Sequence, residues 1–197
     1  MDLATFRARV RNAVKDLDSA AYYWADAEID AAIARAVGEY NRVAPLVASM
    51  TKNGDGATRS FDCSAEADYL YALAVEYPID QDPPAWLAFR ELTRGSIVIL
   101  GNPPVAGSGN VRIWLAKAHG TAPWTVPAED ERAIEAGAVG YLALAGARYS
   151  AGRLNASQGT PGQLLALGEA GSREFAVALD SRRARSVGPA WLARWDL

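Results

Sequence analysis

The sequence predicts an α+β fold, mainly helical: a four-helix bundle core with an inserted small antiparallel β module and an extended C-terminal tail. Three observations predict it. Apolar residues recur at steps of three and four in two stretches before Pro45 and in two after Pro127, the period of an amphipathic helix. Between them lie short apolar runs broken by Pro, Gly, Asn and Asp, the punctuation of strands and turns. The last dozen residues then hold Trp191, Leu192, Trp195 and Leu197, too few to build a core of their own. The expected segments are a helix pair over 1–45, the β module over 46–122, a second helix pair over 123–184 and a tail over 185–197.

The first helix places Leu3, Phe6, Val10, Val14 and Leu17 on one face and Arg7, Arg9, Arg11 and Lys15 elsewhere. Asp18 and Ser19 open a turn into an aromatic corner at Tyr22, Tyr23 and Trp24. In the second helix Ile29, Ile33, Ala36, Val37, Tyr40 and Val43 form the buried stripe. Asp26 and Glu28 put negative charge at its start, with Asp26 expected as N-cap, and Pro45 stops it. Arg35 and Glu39 are one turn apart on the opposite, solvated face. A basic helix, a turn and a second helix also suggest helix-turn-helix DNA recognition, but the second helix carries mixed charges.

In the β module, 46–52 and 57–61 suggest a hairpin around Asn53-Gly54-Asp55-Gly56. Further strands are expected over 69–77, 96–100 and 111–116, with turn-forming linkers over 78–84 and 101–109 and a hairpin turn at Gly107-Ser108-Gly109. Trp86, Phe89 and Trp114 are expected in its core. After Pro127, a first-turn proline followed by Glu129, Asp130 and Glu131, the stripe is Ile134, Ala138, Tyr141, Leu142, Ala145 and Tyr149. The small residues of 136–147 let another helix approach closely, at a helix-propensity cost of about 1 kcal/mol per glycine. Thr160 as N-cap, Pro161 and Gln163 open the last helix, which turns Leu164, Leu167, Gly171, Phe175 and Leu179 inward.

Composition excludes several function classes. A run of apolar residues near the ~18 of a membrane span is missing, so a soluble chain is expected. The arginine-spaced N-terminus has no apolar signal region, which implies synthesis in the cytoplasm. One cysteine, Cys63, and one histidine, His119, supply neither an internal disulfide nor the usual zinc set, and no cofactor is expected. A net charge of −3 argues against a general nucleic-acid binder. His119 lacks a Gly-x-Ser-x-Gly partner motif, phosphate-cradling loops are missing, and no catalytic, cofactor or metal residues are assigned.

The order of parts carries a resemblance. Two N-terminal helices with a Trp24-Ala25-Asp26-Ala27-Glu28-Ile29 entry, a β insertion with Val75-Glu76-Tyr77-Pro78 and the ending Val111-Arg112-Ile113-Trp114, then Thr125-Val126-Pro127 opening a small-residue helix, resemble head-to-tail adaptor (connector) proteins of tailed double-stranded DNA bacteriophages. The resemblance implies a non-enzymatic virion protein at the head-tail junction: a dodecameric ring beneath the portal protein, bound also to a neck or tail-completion protein, with DNA only as passing cargo and no membrane. It further implies portal docking through the C-terminal segment, here Arg183, Arg185, Trp191, Leu192, Trp195 and Leu197, with a tail mobile in the free subunit and ordered in the assembly. The β insertion is larger than in the simplest all-helical adaptors. Competing readings are a neck or tail-completion protein, and a β-sandwich carbohydrate-binding module on a helical support with Trp86 and Trp114 as stacking faces.

Overall fold

The computed structural model describes residues 1–20, 23–151 and 159–185. The chain divides into two compact units, one built from residues 1–44 and the described residues from His119 onward, the other from Pro45–Ala118. The fold is a mixture of helix and antiparallel sheet, as composition and periodicity predict. No helix among the described residues is long and apolar enough to cross a membrane.

The helical unit contains α1 (Leu3–Ala13), α2 (Asp26–Tyr40), a 3₁₀ turn (Ala128–Asp130), α3 (Glu131–Ala151) and α4 (Gly159–Arg185). Its core joins Phe6 and Val10 of α1, Ile29, Ile33, Ala36, Val37 and Tyr40 of α2, Ile134, Ala138 and Leu142 of α3, and Phe175 of α4. The α2 stripe is buried as predicted, Val43 included. Asp26 is not its N-cap. Ala25 holds that position and its N–H donates to Glu28 Oε2 at 2.8 Å, while Asp26 is drawn away by arginines of α1. Leu17 is 59% exposed because α1 stops at Ala13, so the period cannot carry on to it.

In α3 the predicted face drifts. Ala145 and Tyr149 are exposed, whereas Ala143 and Ala147 are buried. The reason is that α3 packs on α1 and α2 and also on α4, so one stripe cannot describe it. The contact with α4 runs through glycines. A Cβ on Gly140 would lie 2.8 Å from the Ser172 backbone nitrogen, and one on Gly171 would lie 2.7 Å from the Ala136 carbonyl oxygen. Leu167, expected inward, is 37% exposed, whereas Gly171 and Phe175 are buried as expected and Gly168 is buried beside them.

Two glycines therefore have opposite expectations. Gly38→Ala in α2 meets nothing within 4 Å and should stabilise the fold by up to about 1 kcal/mol through helix propensity. Gly140→Ala gains the same propensity but drives a methyl into backbone, and overpacking of about 1–3 kcal/mol outweighs it. Thermal melts should move up for the first and down for the second; a Gly140→Ala melt at or above that of the unsubstituted protein would show that the helices separate freely.

The β unit holds two sheets. One has the order β1 (Leu46–Gly54), β7 (Gly107–Lys117), β3 (Tyr69–Glu76), β4 (Trp86–Leu87); the other has β2 (Ser60–Asp62), β6 (Ser96–Ile99), β5 (Phe89–Thr93). The expected hairpin between 46–52 and 57–61 does not form. Strand β1 pairs with β7, and β2 with β6. Gly54 still belongs to β1, opposite Gly107, and Asp55 then accepts the backbone N–H groups of Ala57 and Thr58 at 2.9 and 2.6 Å, which turns the chain away. Gly107-Ser108-Gly109 is accordingly the start of β7 and not a turn.

The core of this unit is Phe61, Cys63, Tyr69, Val75, Ile97, Ile99, Val111, Ile113 and Leu115. Trp86, Phe89 and Trp114, expected there, are only half-buried. Period-two alternation explains Trp114, since it flanks the inward Ile113 and Leu115 and points to the other face.

Candidate docking surfaces

The arginines of α1 are consumed within the helical unit. Arg7 grips Asp30 with two nitrogens at 2.8 and 2.7 Å and also reaches Asp26 at 2.7 Å. Arg9 contacts Glu135 at 2.5 Å and Glu131 at 3.2 Å. Arg11 is buried, and its guanidinium bonds Asp16 at 2.5 Å, Asp26 at 2.6 Å and the Trp24 carbonyl at 2.9 Å. Asp16 in turn accepts the N–H groups of Tyr23 and Trp24. Arg11's hydrogen bond holds the Asp26 carboxyl below the usual carboxylate range. A buried ion pair of this kind specifies geometry more than it adds stability. It clasps α1 to the entry of α2 and removes the cationic face that helix-turn-helix recognition would need. The missed signal was a ladder: Arg7 and Arg11 are four apart on α1, and Asp26 and Asp30 are four apart on α2.

A second buried polar group ties α2 and α4 to the 3₁₀ turn. The Tyr40 hydroxyl donates to Asp130 Oδ2 at 2.5 Å, and Arg182 Nε donates to Asp130 Oδ1 at 2.6 Å. Burial, and then the bond to Asp130, push the Tyr40 hydroxyl well above its usual pKa. His119 is buried close by, its backbone N–H on Asn41 Oδ1 at 2.7 Å and its Nδ1 2.8 Å from the Thr125 carbonyl. It is a satisfied core histidine. Burial pushes the Cys63 thiol up to about 11, which leaves it the weakly nucleophilic thiol form. Among the described residues no group of three or more His, Cys, Asp or Glu is placed to hold a metal ion.

The residues expected to dock on a partner are only partly visible. Arg183 lies on α4 with its Nη1 3.6 Å from Asp180 Oδ1, both side chains about three-quarters exposed. Trp191, Leu192, Trp195 and Leu197, and the side chain of Arg185, lie outside the described residues.

Other apolar surface lies in the β unit. A cleft of about 280 Å³ is lined by residues 73–75 and 86–89, that is by Leu, Ala, Val, Trp and Phe. Apart from the Trp86 indole N–H, such a lining has no polar side chain to orient a sugar hydroxyl, which weighs against a carbohydrate site at Trp86. On the far side of the same sheet β1 is an edge strand, with Leu46 37% and Val47 50% exposed.

No protein-family model and no curated protein matches the chain. Solved structures that it is similar to come from gene transfer agent (GTA) particles. One is a chain of the neck of an empty GTA particle computed with C6 symmetry, at 18% identity and a TM-score of 0.32, covering 86% of this chain and 87% of that one. Another is from the neck of a native GTA particle computed with C12 symmetry, at 18% identity and a TM-score of 0.29, covering 85% of each chain. A third is from the virion of a native GTA particle, at 18% identity and a TM-score of 0.29, covering 86% of this chain and 87% of that one.

Proposed function

We propose that this chain is a structural protein of a tailed-phage-type virion, a head-to-tail adaptor. Its copies form a ring, dodecameric as in the family it resembles, beneath the portal protein; the ring joins capsid to neck or tail proteins and leaves a central channel for DNA. In this reading the four helices act as one bundle, the scaffold of each subunit, and Arg183, Arg185, Trp191, Leu192, Trp195 and Leu197 anchor on the portal. The observation that carries the proposal is the order of parts: helix pair, β unit and second helix pair in one chain, with the β unit spliced in at Pro45 and left at Ala118. Internal pairing of Arg7, Arg9 and Arg11 and a net charge of −3 support a passive channel, because cargo that must slide should not be gripped.

Native mass measurement and electron microscopy of the purified chain, alone and with portal protein, test the proposal. A closed ring is expected; a chain that stays monomeric under both conditions and binds oligosaccharide would overturn it. Duplex DNA should bind the isolated protein without sequence preference, weakly and in a salt-sensitive manner. Submicromolar binding at physiological salt, read by fluorescence anisotropy, would contradict the passive channel.

A further inference from the structure

We infer that copies of this chain outside an assembled ring join in pairs through the solvent face of α4, the two helices lying antiparallel about a two-fold axis. The inference goes beyond the ring reading and does not depend on it. A two-fold contact uses the same face on both copies and closes on itself, whereas a ring is closed by two different faces.

The face follows from what α4 buries. Gly168, Gly171 and Phe175 are buried, and the two glycines lie against Leu144 and the Ala136 carbonyl of α3. Turned away from α3, at alternating steps of four and three, stand Gly162, Ala166, Glu169, Arg173, Ala176 and Asp180, every one of them exposed. That alternation is the spacing of a seam between two helices. Beside it Leu165 is 46% and Val177 62% exposed, large aliphatic side chains that a helix with only solvent on this side would not need.

Charge decides which partner fits. Glu174 is held by Arg132, Arg182 by Asp130 and Glu129, and Asp180 lies by Arg183. Among the described side chains of α4 this leaves Glu169 and Arg173 without an ion pair, one acid and one base in the middle of the seam. A second copy of the same face supplies both complements in one orientation. Laid parallel and in register, it would set like charge on like. Laid antiparallel about the level of Gly171, it brings Glu169 level with Arg173 of the second copy and Arg173 level with its Glu169, so two reciprocal ion pairs cross the axis.

The rest of the seam suits the same register. Ala166 comes level with Ala176 of the second copy, where nothing larger than a methyl separates the backbones, and the helix axes can approach closely, as α3 and α4 do through their glycines. Leu165 and Val177 then flank Ala176 and Ala166 of the second copy and cover them from the sides. Asp180 comes level with Gly162, in the first turn of the other helix, where a carboxylate is favoured.

Variants of the full chain test this. Ala166→Cys combined with Ala176→Cys should give, under mild oxidation, a covalent dimer and no higher ladder, because both bridges close within one pair. The two positions of one chain lie about 15 Å apart along the helix, too far for an internal bridge, and each single variant should give no dimer. The native Cys63 is 1% exposed and does not compete. Glu169→Arg alone, or Arg173→Glu alone, should raise the dissociation constant of the pair at least tenfold in analytical ultracentrifugation of the ring-free fraction, and the two substitutions together should restore it. Both side chains are exposed, so the melting of the subunit should hold in all three variants. Single exchanges that pair like the unsubstituted chain, a double exchange that does not recover pairing, a ladder in place of the covalent dimer, or a ring-free fraction that stays monomeric at the highest soluble concentration would each overturn the inference. Ring formation with portal protein is read separately, so the ring reading stands or falls on its own.

Discussion

Ile33→Asp is expected to yield unfolded or insoluble protein. Ile33 is fully buried in the core shared by α1, α2 and α3, among Phe6, Ile29, Val37 and Ile134. Removing the aliphatic side chain alone costs about 2–5 kcal/mol, and a carboxylate left there without a partner adds several more. Domains of this kind are stable by only about 5–15 kcal/mol, so the sum exhausts most or all of it. The nearby arginines do not rescue the charge, since Arg7 and Arg11 are committed to Asp30, Asp26 and Asp16 around the entry of α2. Circular dichroism and soluble yield measure the effect; a folded variant with unchanged melting would mean that the central face of α2 has been assigned to the wrong side.

Deleting residues 189–197 is expected to abolish portal attachment while leaving the melting of the subunit nearly unchanged. Among the described residues the helical core is drawn from α1, α2, α3 and α4, up to Phe175 and Leu179, and the β core from residues 61–115, so each unit has an apolar core built from residues that the deletion retains. Four large apolar side chains on a short segment do not offset the cost of ordering it, so pairing with a partner and repetition around a ring must contribute. Repetition also makes the deletion severe, because every arm is lost at once. Co-sedimentation with portal protein reads the attachment and differential scanning fluorimetry the folding. A truncated chain that unfolds, or that binds portal as before, would end the docking-arm proposal.

How much of this was legible in the sequence differs by element. The buried face of α2 was read correctly down to Tyr40, and so was the Arg35–Glu39 pair, now seen at 3.6 Å, because one face is buried and one is wet; its N-cap was misassigned, because the arginines that hold Asp26 lie on another helix. The glycines of α3 were recognised as a close-approach surface, and Gly140 and Gly171 are that surface. Tyr149 was misassigned in the same helix because α3 has neighbours on more than one side, which erases the period that the assignment used. Strands β4 and β5 were missed: one has two residues, and both follow a loop dense in Pro and Asp. Of the proposed docking residues only Arg183 has a described side chain.

The sequence by itself determined local matters: which segments are helical, which face of α2 is apolar, where small residues permit close packing, and that the middle of the chain is extended. Each depends on periodicity or on conformational preference within a few residues. Only the tertiary structure decided the partners. It placed β1 against β7 instead of the nearby β2, made an edge of β1, and set Arg9 on Glu135, 126 residues away. Strand register and ion pairing are contacts between distant residues, and several pairings suit the same local pattern equally well. The choice among them falls to what buries the most apolar surface while leaving each charge a partner.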